Sequence, residues 1–201
     1  MGIFNVFEIP VWQVNLKNDV NINEIENYCL QLEGQDGRVI SNEGGFQSQD
    51  INLHDAHELE DLQNAIQIES EKFSDNIGVK HCKIDNLWVN INNYLNSNQR
   101  HRHARSVLSG VFYGHSKFNE KSGKLVFRHP CTDFMEYDWA YIQTGGYNPV
   151  NSLSWSIQPH PCDLIMFPSW LEHRVEPNLA RDYKRISISF NMHFKRVMFS
   201  M

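Results

Sequence analysis

The sequence predicts a mostly β protein: a double-stranded β-helix (jelly roll) with N-terminal helices packed on one sheet. Three observations predict it. Helical periodicity is confined to the first 83 residues, strand-like runs follow one another from Ile84 onward, and turn-rich segments separate those runs. The 201 residues suit a single domain, with 1–83 supplying an N-terminal strand and helices and 84–194 the jelly-roll core.

Residues 6–16 alternate and are rich in β-branched and aromatic side chains; with Pro10 inside, they read as an edge strand. Residues 21–33 place Ile22, Ile25, Cys29 and Leu32 at helical spacing, and Gly34 and Gly37 end that helix. A second helix over 55–73 carries Leu59, Leu62, Ile66 and Phe73 as one stripe, with acidic residues opposite. Between the helices, residues 44–48 (GGFQS) read as a structured loop. Strands are expected at 84–92, 106–114, 123–128, 163–167 and 183–194. The long segment 129–160 reads as a loop. Its aromatics Phe134, Tyr137, Trp139, Tyr141 and Tyr147 fit a lid and substrate wall, or ordinary surface packing.

Composition narrows the function. Hydrophobic residues make up 41% and charged residues 21%, ordinary soluble usage. With 18 basic and 24 acidic residues the net charge is -6, so no duplex nucleic acid is expected as a partner. A local basic run (Arg100, Arg102, Arg105) sits among histidines and could attract an acidic substrate. Cys29, Cys82, Cys131 and Cys162 lie far apart with no C-x-x-C spacing, which argues for free buried thiols rather than a zinc ribbon or disulfide framework. The first residues lack a basic region followed by a long apolar core, and no run approaches the roughly 20 apolar residues that span a bilayer. A cytoplasmic protein without membrane association is expected, acting on a small molecule or peptide, with room for a homodimer.

The chemistry concentrates in three places. His101 and His103 stand two apart, so on an extended segment both imidazoles share a face. His173 follows an apolar strand and a turn, where a jelly roll brings its sheets together. Arg185 lies in a strand whose Ile186, Ile188 and Phe190 form one face, and Arg185, Ser187, Ser189 and Asn191 the other. Imidazoles bind borderline metals such as Fe(II), and a strand-held guanidinium clamps a carboxylate through two parallel hydrogen bonds. The polar face of the last strand is either its solvated side or an interior site; an arginine inside needs an anionic partner.

The segments WVNIN (88–92), HRHARSVLSGVFY (101–113), GKLVF (123–127), FPSWLEHRVEPN (167–178) and RISISFN (185–191) resemble the 2-oxoglutarate/Fe(II)-dependent oxygenases, in particular a small branch with an H-x-H motif. The resemblance covers 84–192 and extends weakly to the N-terminus. It implies Fe(II) and 2-oxoglutarate as cofactors, with His101 and His173 on the metal. It also implies that Arg185 holds the distal carboxylate of 2-oxoglutarate, helped by Ser187, with Tyr113 assisting and Asn92 lining the iron pocket. The implied activity is hydroxylation coupled to 2-oxoglutarate decarboxylation.

Position 103 departs from the family, most of whose members carry a carboxylate there. His103 completes a three-histidine site in the favoured reading; otherwise the position is vacant, or Asp133 swings in from the long loop. Glu172, beside His173, would point to the opposite face. Two other functions fit the residues: a cupin-type three-histidine dioxygenase working without 2-oxoglutarate, and a non-catalytic jelly-roll binding protein.

Overall fold

The structure is a computed structural model that describes Gly2 and residues 6–138 and 146–194. Alternation along the strands generates its two sheets, both antiparallel. The major sheet has the order β1-β9-β6-β11-β4-β3: β1 (Trp12–Asn15), β9 (Asp163–Pro168), β6 (Leu108–Tyr113), β11 (Arg185–His193), β4 (Lys83–Asn92) and β3 (Phe46–Gln47). The minor sheet has the order β2-β5-β10-β7-β8: β2 (Asn42–Glu43), β5 (Ser97–His101), β10 (His173–Val175), β7 (Leu125–Arg128) and β8 (Ser154–Ile157).

Strand β11 shows why the sequence settles this way. Ile186, Ile188, Phe190 and Met192 enter one core with Leu87, Val89 and Ile91 of β4. That core lies under α1 (Ile22–Leu32) and α2 (Glu60–Ile77), which bury Ile25, Cys29, Leu62, Ile66 and Phe73 in it. The alternate residues of the major sheet face the minor sheet across a second cluster: Val111, Tyr113, Leu125, Phe127, Ile165, Phe167 and Leu171. A period of two thus serves a helix-facing core and an inter-sheet interior at once.

The helices end where their residues dictate. Asn21 caps α1 by accepting the Glu24 N–H at 3.4 Å, and Glu24 places an acid in the positive first turn. Helix α2 follows a 3₁₀ turn, His57–Leu59, and stops at Gly78. The turn between β2 and β3 needs positive φ at two successive positions, Gly44 (67°) and Gly45 (70°).

Several boundaries differ from expectation. The N-terminal strand spans only Trp12–Asn15, paired with β9 at the sheet edge; Pro10, without an N–H, lies outside the ladder. The 44–48 segment is the turn that carries the chain from β2 in the minor sheet into β3 in the major sheet. The segment 129–160 contains helix α3 (Thr132–Asp138) and strand β8 rather than loop alone. Of its aromatics, Phe134, Tyr137 and Tyr147 are more than 70% exposed, while Trp139 and Tyr141 lie outside the described residues. All four cysteines are free thiols, but Cys131 is exposed where burial was expected, because it stands on the turn before α3. Among the described residues no helix is long and apolar enough to cross a membrane.

Candidate metal and cosubstrate site

Strands β5 and β10 pair antiparallel with His173 directly opposite His101. Cross-strand partners share a face, so both imidazoles project into the space between the sheets. His103 lies past the end of β5, and its N–H donates to the Ser169 carbonyl at 3.0 Å, which holds the loop against the strand-β9 side. The ligand atoms of His101, His103 and His173 all lie within 4.8 Å of one another. Nε2 of His103 is 3.3 Å from Nε2 of His173. Two imidazole nitrogens bound at right angles about 2.1 Å from one ion would stand about 3 Å apart, so this spacing suits a shared ion.

The ring tautomers are set from behind. Nδ1 of His101 faces the Gln99 carbonyl at 2.7 Å, and Nδ1 of His173 faces the Leu171 carbonyl at 2.9 Å. A carbonyl only accepts, so each Nδ1 carries the proton and each Nε2 presents its lone pair inward. Burial and the neighbouring imidazoles push His173 down to about 3 and His103 to about 4; burial also lowers His101. Three neutral imidazoles converge, the protonation state a metal requires. Asp133 is not among them: it is exposed and paired with Arg128, as is Glu172 at 3.3 Å.

The cavity beside the histidines runs along the inner face of the major sheet, lined by Trp88, Asn90, Val111, Tyr113, Ser187 and Ser189 among others. The register places Asn90, Ser187 and Tyr113 in one row and Trp88, Ser189 and Val111 in the next. Asn92 pairs with Arg185 instead and is buried beside it, while Asn90 provides the cavity wall. The alternation of Trp88, Asn90 and Asn92 with Val89 and Ile91 is the sequence signal for this wall.

Arg185 is 1% exposed. Its Nη1 donates to the Glu176 carbonyl at 2.8 Å and to the Ser122 carbonyl, leaving Nη2 buried without a hydrogen-bond partner. The hydroxyl of Tyr113, also buried, has no partner either. Burial pulls the Arg185 guanidinium down to about 10, with Tyr113, Tyr183 and Glu176 opposing, and pushes the Tyr113 phenol up. An orphaned guanidinium nitrogen and an orphaned hydroxyl at one site are costly unless an anion completes them. A carboxylate has the charge and the two acceptors for both. The residues present therefore fit a divalent metal and a carboxylate-bearing cosubstrate.

Gly123 opens the GKLVF segment, but its role in seating Arg185 has no signal in the sequence. It lies at φ +84°, and a Cβ there would sit 2.6 Å from Nη1 of Arg185 and 2.8 Å from the Pro177 carbonyl. The missing side chain lets the Arg185 guanidinium seat between Ser122 and Glu176.

A family model described as "Putative 2OG-Fe(II) oxygenase" matches residues 86–191, more than half of the chain. A search of curated proteins returned no match. Solved structures with the same fold include a Pseudomonas putida prolyl-4-hydroxylase (13% identity, TM-score 0.63, covering 93% of this chain and 94% of that one). A Trichoplax adhaerens prolyl hydroxylase bound to a hypoxia-inducible-factor peptide fragment is similar too (16%, TM-score 0.61, 90% and 82%). So is the epimerase SnoN of nogalamycin biosynthesis in complex with Fe3+, alpha-ketoglutarate and nogalamycin RO (10%, TM-score 0.64, 92% and 79%). At these identities the structures speak for the fold, and the family model, spanning strands β4 to β11, carries the assignment: the chain belongs to the 2-oxoglutarate/Fe(II)-dependent oxygenases, enzymes that use Fe(II) and 2-oxoglutarate.

Proposed function

We propose that the protein is a hydroxylase in which His101, His103 and His173 hold Fe(II) and Arg185 holds the distal carboxylate of 2-oxoglutarate. The observation that carries this reading is the pair of buried, unpartnered donors, Nη2 of Arg185 and the Tyr113 hydroxyl, beside the cavity on which the three imidazoles converge. Ser187, in the Tyr113 row, adds a hydroxyl, and Asn92 packs next to Arg185 as part of the same polar end.

Bound iron and 2-oxoglutarate supply the oxidising power: O2 and 2-oxoglutarate become CO2 and succinate, and one oxygen atom enters a C–H bond of the substrate. The chain's own residues bind, orient and exclude water. Arg185 fixes one end of the cosubstrate, which sets where its other end meets the metal. Phe127, Phe167 and Ile165 keep the interior apolar, and the Phe167 ring packs edge-on against His173 with centroids 4.6 Å apart. The likeness to prolyl hydroxylases and to a small-molecule epimerase supports a peptide or small-molecule substrate.

The test is anaerobic calorimetry. The protein should bind one equivalent of Fe(II), or Zn(II) as a surrogate, and 2-oxoglutarate should bind only to the metal-loaded form. His173→Ala should abolish both events. Metal uptake that His173→Ala leaves intact would rule out the triad.

A further inference from the structure

We propose that a second cavity, between the open edges of the two sheets, binds the substrate, and that the substrate is elongated and uncharged with a flat apolar group at one end. The register carries the argument. Trp155 of β8 pairs with Phe127 of β7, Phe127 with His173 of β10, and His173 with His101 of β5. Partners in one row share a face, so a single ladder runs from an exposed tryptophan across a buried phenylalanine to the two histidines. At about 4.8 Å per strand, Trp155 stands about 10 Å from His173 along the row.

The cavity lies at the outer end of that ladder. This open cleft offers about 360 Å³, and its apolar wall includes Val11, Phe127, Pro149, Trp155, Ile157 and Leu171. This is the size of a small-ligand site. Two of its wall residues touch the histidine directly: the Phe127 ring centroid is 6.2 Å from that of His173, and the Leu171 carbonyl accepts the His173 Nδ1–H. Trp155 is 46% exposed, leaving its indole available for stacking.

Among the described residues Arg128 is the one formal charge lining the cavity, and it and two of the polar groups there are already engaged. Arg128 binds Glu172 and Asp133, Gln13 donates to Asp163 at 3.3 Å, and Nδ1 of His129 accepts the Cys131 N–H at 3.1 Å. Among the described residues lining the cavity, an anionic or cationic ligand would find no uncommitted formal charge, whereas a ring on Trp155 gains contact area without stranding a polar group. The inference rests on the three histidines being the metal site: a ligand anchored on Trp155 presents a carbon about 10 Å away to that metal.

The probe is 5-fluoroindole, neutral and flat, followed by 19F NMR on Zn(II)-loaded protein with 2-oxoglutarate present. Saturable binding is expected, weakened tenfold or more by Trp155→Ala and largely retained in Trp155→Phe. Zn(II) and 2-oxoglutarate affinities should be equal in all three proteins. Replacing Zn(II) with paramagnetic Co(II) should broaden the bound resonance strongly, because the probe sits near the metal. Equal binding to Trp155→Ala, or a line that Co(II) leaves sharp, would overturn the proposal. A His173→Ala control separates the two readings: if it fails to remove Co(II), the metal assignment has failed, and the Trp155 variants still judge the cavity on their own.

Discussion

Arg185 is the residue whose replacement tests the cosubstrate site most sharply. The guanidinium is anchored on one side, Nη1 bonding the Glu176 carbonyl at 2.8 Å and the Ser122 carbonyl, and offers Nη2 on the other. A charge-assisted bond to a carboxylate contributes about 1.5–3 kcal/mol, and each 1.4 kcal/mol is tenfold in affinity. Arg185→Lys keeps the charge, but one ammonium cannot bond both carbonyls and also reach the carboxylate as Nη2 does, so 2-oxoglutarate should bind about tenfold more weakly. Arg185→Ala removes the whole interaction and should cost about a hundredfold or more by the same conversion. It also leaves two carbonyls unsatisfied and a cavity, so its fold must be checked by thermal melting; the lysine variant keeps the test decisive if alanine fails to fold. The assay is calorimetry of 2-oxoglutarate into metal-loaded protein without O2, with metal affinity measured separately. Metal affinity should hardly change, and succinate should compete in the parent and barely in the variants. Equal 2-oxoglutarate affinity in parent and Arg185→Lys, with equal succinate competition, would refute the clamp.

Gly123→Ala should act on the same step from outside the cavity: its Cβ would crowd Nη1 of Arg185, 2.6 Å away, at a φ that costs about 1–2 kcal/mol for a non-glycine residue. Calorimetry should show weakened 2-oxoglutarate binding with intact metal binding; a lowered melting temperature with unchanged 2-oxoglutarate affinity would make Gly123 purely structural. His103→Asp should preserve Zn(II) binding, since a carboxylate ligates at the same position, whereas His103→Ala should weaken it; an alanine variant that binds as the parent does would mean that His103 is no ligand. Acid should destabilise the metal-free protein. His103 and His115 sit at about 4 and His173 at about 3, all held down chiefly by burial, against about 6.5 in an unfolded chain. The unfolded state therefore binds more protons between those values, and stability present above pH 6.5 is lost as pH falls toward 4. Melting temperatures across pH 7 to 4 should drop, and a flat profile would contradict the buried, neutral histidines.

The parts of the fold that sequence reveals are those where one side of an element is apolar. Helices α1 and α2 and strands β4 and β11 carry a clear period, because each packs against the larger core; β6 and β9 stand out instead as runs buried on both faces. Strand β5, Ser-Asn-Gln-Arg-His, has no such period; it exists because β2 and β10 pair with it. Strand β10 is three residues long and β8 is hidden in a polar stretch, so their existence depends on partners remote in sequence. The site divides the same way. The alternation of β11 separates its two faces without saying which is interior, and the family resemblance marks His101 and His173 while leaving the role of His103 open. Neither Gly123 nor the Ser122 carbonyl announces itself: Ser122 lies 63 positions from Arg185, and its role is a backbone contact that no side-chain pattern encodes.

The charges of the site bind its two cofactors to one another. Arg185 is a cation buried to 1% exposure, and three neutral imidazoles, as the proposed ligands, would leave a divalent metal its full charge of +2. Metal alone therefore places a second cation in the same poorly hydrated interior, which burial disfavours. A dianionic 2-oxoglutarate offsets both, one carboxylate at each end, so each cofactor should raise the affinity for the other by the same factor. A carboxylate at position 103 would already neutralise part of the metal's charge, leaving less for the cosubstrate to offset. With His103 as the proposed third ligand, the site should depend more strongly on 2-oxoglutarate for its charge balance than a two-histidine, one-carboxylate site does. On the proposed reading, the orphaned Nη2 of Arg185 is where the cosubstrate would supply that balance: the fold holds a buried cation with one nitrogen left for an anionic partner.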